Sequence, residues 1–398
     1  MAATIGQIKQ ALRQHDLDGW LFYDFHNRDQ LAYRILGLDG TKLTSRRWFY
    51  FIPATGDPQK LVHTVEKTKL DTIPGKKNVY LSWEQQHAYL KQILGSPKKI
   101  AMQYSPMNNI PYISIVDAGT VELVRSFGHE IVSSAGLVQM FEAVIDQSGY
   151  QSHLSAGAKV HKTKNDAFAE IGKTLREGRG VTEFDIQRFI LKRFEDLGLI
   201  TSDPPIVGVN AHPADPHFEP TLQNAQVIKW GDTILIDLWA KEKAPHAIYY
   251  DITWVGFAGT NPPEKYIEIF SVVRNARDTA VNFIKGRFDA KKTCYGWEVD
   301  QACRGVVERA GFGQYFIHRT GHSIGVEVHG NGANIDNLET KDERQLIPGC
   351  CFSIEPGIYL EGEMAVRSEI NVFITLEGKV EVTGEMQNDL ILIPREIP

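Results

Sequence analysis

Four acidic residues stand inside or at the ends of apolar, β-branched runs: Asp237 in ILIDLW, Asp251 in IYYDITWV, Glu355 closing CFSIE and Glu369 ahead of INVFIT. Runs of this kind become strands whose side chains are buried. A buried carboxylate is tolerated only when it is paired, hydrogen-bonded or bound to metal. A single such acid has an ordinary explanation as a strand end or a salt bridge. Four within one region need a common source of positive charge, and Arg367 is the one basic residue close to them in the same runs.

Histidines supply the second half of the pattern. His318, His322 and His329 fall in IHRTGHSIGVEVHG, a segment rich in glycine and β-branched residues. One reading is a surface loop with incidental imidazoles. The other is one metal ligand plus neutral donors for a polarised carbonyl. Four carboxylates and one imidazole suit a pair of divalent ions, because four negative charges offset four positive ones. Two ions roughly 3.5–4 Å apart share a bridging hydroxide and depress its pKa towards neutrality. Oxygen-rich ligands favour manganese, cobalt or zinc over soft-metal chemistry, and the imidazole disfavours calcium.

The rest of the chain divides into two patterns. Up to about residue 134 short strands and helices alternate: a helix at Ile5–Leu12, then strands at Gly19–Tyr23, Arg47–Pro53, Leu61–Val65 and Lys99–Gln103. This is an α/β pattern, without a nucleophile elbow, a P-loop or a G-x-G-x-x-G sequence. The small polar run VSSAG at Val132–Gly136 marks the break, giving expected domains 1–134 and 135–398. Beyond it one long helical region is expected from about Leu137 to Glu177. Helices follow from the N-cap Thr182, from Pro263 and from Trp297. The strands Thr233–Trp239, Ile248–Phe257, Cys351–Ile354, Ile370–Thr375 and Lys379–Thr383 complete an α+β domain with a largely antiparallel sheet.

Composition excludes several other classes. The 398 residues carry a net charge of −6 with no basic stripe, which argues against nucleic acid. No run approaches the roughly 20 apolar residues that span a bilayer, and the N-terminus lacks the pattern of a signal peptide, so no membrane partner is expected. The four cysteines, Cys294, Cys303, Cys350 and Cys351, lack C-x-x-C spacing and read as buried thiols of a cytoplasmic protein.

The same residues carry a resemblance. GDTILIDLW, YYDIT, GHSIGVEVH, SIEPGIY and VRSEI occur in the order of the motifs of the pita-bread metallopeptidases, and the C-terminal part resembles the Xaa-Pro members, aminopeptidase P and prolidase. The N-terminal part, with DFHNRDQLAYRILG, is similar to the extra domain of the creatinase and Xaa-Pro members. The resemblance implies a pita-bread fold, two divalent ions, and cleavage of the bond between an N-terminal residue and proline through attack of a metal-bridging hydroxide on a small peptide. It implies that Asp237 binds one ion, Asp251 and Glu369 bridge both, and His322 and Glu355 complete the second, with Glu355 also shuttling the proton. His217, in DPHFEPT, would lie near the scissile bond and His329 would hydrogen-bond its carbonyl. His318 and Arg367 would shape the leaving-proline side or hold a carboxylate, and the chain would form a homodimer.

Three positions depart from the family pattern. The spacing from Asp237 to Asp251 is 14, with Lys241–His246 as an insertion; Trp254 stands where a basic residue often follows Asp-x-Thr; and Gly330 stands where an acid often follows the second histidine. Because 14 is even, both acids still face one side if the strands pair directly. Two other classes share the scaffold: a metal-free creatinase-like C–N hydrolase of a small zwitterion, and a non-catalytic binding protein. Retention of all five ligands argues against both.

Overall fold

The computed structural model describes residues 3–396. The chain forms two compact units, one ending at Glu142 and the next beginning at Ala143.

In the first unit six strands, β1 (Gly19–Asp24), β2 (Trp48–Pro53), β3 (Gln59–His63), β4 (Lys76–Tyr80), β5 (Lys99–Met102) and β6 (Glu130–Ser133), make one mixed sheet in the order β4-β3-β2-β1-β5-β6. The helices are α1 (Ile5–Gln14), α2 (Gln30–Leu36), α3 (Trp83–Leu94), α4 (Ala118–Ser126) and α5 (Ala135–Glu142). β1 is apolar as far as Tyr23 because both of its faces are covered. Trp20 and Phe22 pack with Ile8 and Leu12 of α1, whereas Leu21 and Tyr23 pack with Leu90 and Leu94 of α3. Leu137 and Val138 of α5 join the core that holds Trp20 and Tyr50. Arg34 Nε donates to Glu142 Oε2 at 2.6 Å. Helix α5 therefore belongs to this unit, which extends past the expected boundary at residue 134.

The second unit opens with α6 (Gln147–Arg176) and α7 (Glu183–Asp196). The long helical region expected from Leu137 to Glu177 is two helices. Asp146 caps α6 by accepting from the Gly149 N–H at 2.8 Å, which starts a new helix there. At α7 the expected cap holds, as a reciprocal capping box between Thr182 and Asp185. After β7 (Leu199–Ile200) and β8 (Ile206–Val209), the hairpin of β9 (Thr233–Glu242) and β10 (Tyr250–Phe257) forms the centre of the first sheet. Then come α8 (Glu264–Asp289), α9 (Gly296–Arg309) and the strands β11 (Ser323–Ile324), β12 (Cys351–Ile354), β13 (Gly357–Leu360), β14 (Met364–Arg367), β15 (Ile370–Ile374), β16 (Val380–Thr383) and β17 (Ile391–Leu392). Strand pairing here is antiparallel except where β17 lies parallel on β10.

The two core clusters of this unit explain how the site is carried. Ile234, Ile236, Leu238 and Ala240 of β9, with Tyr250, Ile252 and Trp254 of β10, pack with Ala156, Val160 and Phe168 of α6 and Ile186 and Ile190 of α7. Leu235 and Val255 belong instead to the core with α8 and α9. The positions that alternate with the first set are Asp237 and Trp239 on β9, and Asp251 and Thr253 on β10. Asn371 of β15 joins the second sheet to the first: its Oδ1 accepts from the Asp251 N–H at 3.2 Å and its amide nitrogen donates to the Asp251 carbonyl. Among the described residues no helix is long and apolar enough to cross a membrane.

His153 of α6 is buried between these layers. Its Nδ1–H donates to the Tyr249 carbonyl at 2.6 Å and its Nε2 accepts from Thr383 Oγ1 at 2.7 Å. Burial lowers its pKa from 6.5 to about 4. The unfolded chain therefore takes up a proton that the folded chain refuses, so the stabilisation is complete above pH 6.5 and is lost as pH falls towards 4. Such a depression is worth about 3 kcal/mol. Chemical denaturation of His153→Gln between pH 4 and 8 is expected to show a flatter pH dependence than the parent, by about that amount over this window.

Candidate metal centre

The register of the β9–β10 hairpin places Asp237 opposite Thr253 and Trp239 opposite Asp251. All four side chains thus leave one face of the sheet, and the parity argument for the 14-residue spacing holds. The insertion does not disturb the pairing, because it is anchored on the histidine segment. Lys241 Nζ donates to the Val326 carbonyl, and the Tyr249 N–H donates to the Gly325 carbonyl at 2.9 Å.

His322 is brought to the same place by a close backbone approach. Gly321 lies against β12 so tightly that a Cβ there would sit 2.0 Å from the Ser353 carbonyl oxygen. The Ser353 N–H donates to the His322 carbonyl, and the His322 N–H donates to Ser353 Oγ, each at 2.9 Å. The glycine of the Gly-His pair is required by this packing. Asp300 of α9, fully buried, steadies the approach by accepting from the Thr320 hydroxyl at 2.6 Å and from the Thr320 N–H at 3.1 Å.

These contacts assemble the five residues. His322 Nε2 lies 3.5 Å from Asp251 Oδ2 and 3.4 Å from Glu355 Oε1. One ligand atom each from Asp251, His322 and Glu369 falls within a mutual 4.8 Å. The His322 Nδ1–H donates to the Ser323 carbonyl at 3.1 Å, which leaves the Nε2 lone pair facing the carboxylates. Asp237 Oδ1, Asp251 Oδ1 and Glu369 Oε1 are buried and accept no hydrogen bond. Buried acceptors normally have a partner. Burial first, and then mutual repulsion, push Asp251 and Glu369 well above the usual carboxylate range. Burial likewise raises Asp237 to about 7 against the pull of Arg367. Three unpartnered oxygens, an imidazole lone pair and a repelling set of carboxylates fit two divalent cations. Glu355 joins them from the end of β12, with Oε1 accepting from Ser353 Oγ at 2.9 Å.

The remaining expected residues line the same cavity of about 380 Å³, together with Trp239 and Val328. His329 stacks edge-on against His322 at 4.3 Å, and its pKa falls to about 4 through the His322 charge and then burial. It is a neutral donor at physiological pH. His217 is solvent-exposed on a loop at the cavity wall.

Two residues are engaged with protein partners. Arg367 is turned into the protein. It pairs with Asp237 and donates to Thr253 Oγ1 at 2.8 Å and to Tyr359 Oη at 3.1 Å. His318 is also committed: Nδ1–H donates to the Arg319 carbonyl at 2.6 Å, and Nε2 accepts from the Tyr359 hydroxyl at 2.7 Å. Sequence reasoning missed the residues that hold these groups. Thr253 donates to Glu369 Oε2 at 2.7 Å, and Tyr359, Ser353 and Asn371 act as described above. Their one sequence signal is a polar atom inside a strand otherwise apolar.

Residues 157–376 match the model of metallopeptidase family M24, and the chain belongs to that family. Its relatives include an Xaa-Pro dipeptidase of Lactobacillus helveticus, 33% identical over 48% of this chain and 46% of that enzyme. A probable dipeptidase PepE of Mycobacterium tuberculosis is 27% identical over 68% of this chain and 66% of its own length. The matched region thus spans about half of the Lactobacillus relative. Among solved structures, dipeptidase PepE of Mycobacterium ulcerans superposes with a TM-score of 0.69 at 22% identity, covering 98% of this chain and 97% of that one. An X-prolyl aminopeptidase of Caenorhabditis elegans, described as a cytosolic enzyme with a di-nuclear active site, superposes with a TM-score of 0.64 at 17% identity, over 97% of this chain and 62% of that one. These likenesses establish the pita-bread fold of the C-terminal unit.

Two variants test the centre. The protein is expected to bind about two equivalents of divalent metal. Asp251→Asn is expected to lose at least one of them, by elemental analysis of the dialysed protein. Gly321→Ala forces a Cβ onto backbone and is expected to cost about 3 kcal/mol in denaturant unfolding and to weaken metal binding with it.

Proposed function

We propose that this chain is a dimetal peptidase that hydrolyses the amide bond between an N-terminal residue and proline. The observation that carries the reading is the group of unpartnered buried oxygens on Asp237, Asp251 and Glu369 around the His322 Nε2 lone pair, beside neutral imidazoles in one cavity. Asp237, Asp251, His322, Glu355 and Glu369 would hold the two ions, and manganese, cobalt and zinc all suit that donor set. When bound, the ions supply Lewis acidity and acidify the attacking water.

The chain's own residues account for the rest. His329 donates a hydrogen bond to the scissile carbonyl oxygen and strengthens it as charge develops there. Glu355 holds the proton released by the attacking water and delivers it to the departing proline nitrogen as the C–N bond breaks. His217, exposed on a loop of the cavity wall, contacts the substrate next to the scissile bond. Arg367 and His318 act through Tyr359, fixing Asp237 and the leaving-group side. An X–Pro amide has no N–H, so a site that grips the carbonyl oxygen, as His329 would, loses nothing to proline. The neighbouring dipeptidases and X-prolyl aminopeptidase support this class of substrate. A cytoplasmic home agrees with four buried free cysteines, and assembly as a homodimer follows the same resemblance.

The reaction is testable directly. Metal-loaded protein is expected to hydrolyse Ala-Pro or Ala-Pro-Yaa, to lose activity on chelation and to regain it on adding manganese, cobalt or zinc. Comparing the two peptides in one assay assigns the dipeptidase or aminopeptidase form. His329→Ala is expected to lower kcat by about 10²–10³ with the metal content unchanged. Full activity after chelation, or activity confined to a small ureido compound, would falsify the reading.

A further inference from the structure

Trp239 is absent from the set that the acidic and histidine pattern identifies, yet the hairpin register puts it directly opposite Asp251. Its side chain therefore leaves the sheet on the face that carries Asp237, Asp251 and Thr253. It lines the same cavity as those ligands and His329. Like Val326 and Val328 of the segment between the two histidines, it packs against the buried cluster of Ile248, Tyr249, Ile324 and Phe373. Its Nε1–H is buried and has no acceptor among the described residues.

An orphaned buried N–H costs about 1–3 kcal/mol. Trp48 and Trp254 also bury an unpartnered indole N–H, but neither lines this cavity. At Trp239 the unpartnered donor is a neighbour of Asp251, whose Oδ1 is an unpartnered acceptor. Metal ions answer the acceptor and cannot answer a donor. A peptide can, because its carbonyl and carboxylate oxygens accept. Resting on the reading of this site as a peptidase centre, we propose that Trp239 is a substrate-positioning residue. Its indole N–H donates to a carbonyl or carboxylate oxygen of the bound peptide, and its ring with Val328 forms an apolar wall beside Asp251.

The test separates the N–H from the ring. Trp239→Phe keeps an aromatic wall and removes the donor. Its fold and metal loading are first compared with the parent by thermal melt and elemental analysis. For the positioning role, kcat/KM on Ala-Pro and Ala-Pro-Yaa is expected to fall about tenfold with metal stoichiometry intact. A second readout does not depend on turnover. In ¹⁵N-tryptophan-labelled protein the Trp239 indole N–H resonance, assigned by its loss in Trp239→Phe, is expected to move downfield when Gly-Pro or Ala-Pro-Yaa is added to chelated protein. A variant with parental kcat/KM and an indole resonance that no peptide moves overturns the inference. If the parent fails to hydrolyse these peptides but they move the resonance, the peptidase reading falls and the donor role stands.

Discussion

The antiparallel pairing of β9 with β10 governs this site. One register decides that Asp237, Trp239, Asp251 and Thr253 share a face while Ile236, Leu238, Ile252 and Trp254 lie against α6 and α7. A slip of one residue would send the carboxylates into an apolar core and the isoleucines into the cavity. Such a state is excluded by the cost of burying unpaired charge. The apolar half of the hairpin thus enforces the position of the polar half. The insertion between the strands is accommodated because Lys241 at its start and Tyr249 beyond its end are tied to the Gly325–Val326 backbone.

Around that hairpin the protein spends polar groups on orientation. Arg367 pairs with Asp237 and reaches Thr253, which in turn holds Glu369. Asn371 fastens the backbone of Asp251 to β15. Ser353 holds both the His322 backbone and Glu355. Each ligand is thereby fixed by a neighbour that is not itself a ligand, and one oxygen of Asp237, Asp251 and Glu369 is left without a protein partner. A centre built in this way is preorganised, so its carboxylates need little rearrangement to take up cations.

Much of this was legible in the residues. Acids interrupting apolar strands, the Gly-His pair and the closely spaced histidines pointed to one centre, and the structure brings Asp237, Asp251, His322, Glu355 and Glu369 together. The α+β character of the C-terminal part and the Thr182 N-cap of α7 were equally readable, because strand alternation and capping are local. The supporting residues were less so. Thr253, Asn371 and Ser353 are ordinary strand residues until a partner far along the chain is known, and Trp239 looks like any core aromatic. The break before α6 and the allegiance of α5 also escaped, since a helix carries no mark of which core it will join.

The sequence by itself determined the ligand chemistry, because burying four carboxylates near an imidazole has few physical solutions other than cations, and residue identity and order are enough to pose that problem. Tertiary structure alone decided which groups remain available for a substrate. Arg367 and His318 carry donors that the sequence leaves open, and packing commits them to Asp237, Tyr359 and the Arg319 carbonyl. Trp239 carries a donor that the sequence gives no reason to notice, and packing leaves it unpaired beside Asp251. Hydrogen-bond capacity belongs to the residue, whereas whether it is already used depends on contacts between segments more than a hundred residues apart, such as Arg367 with Asp237.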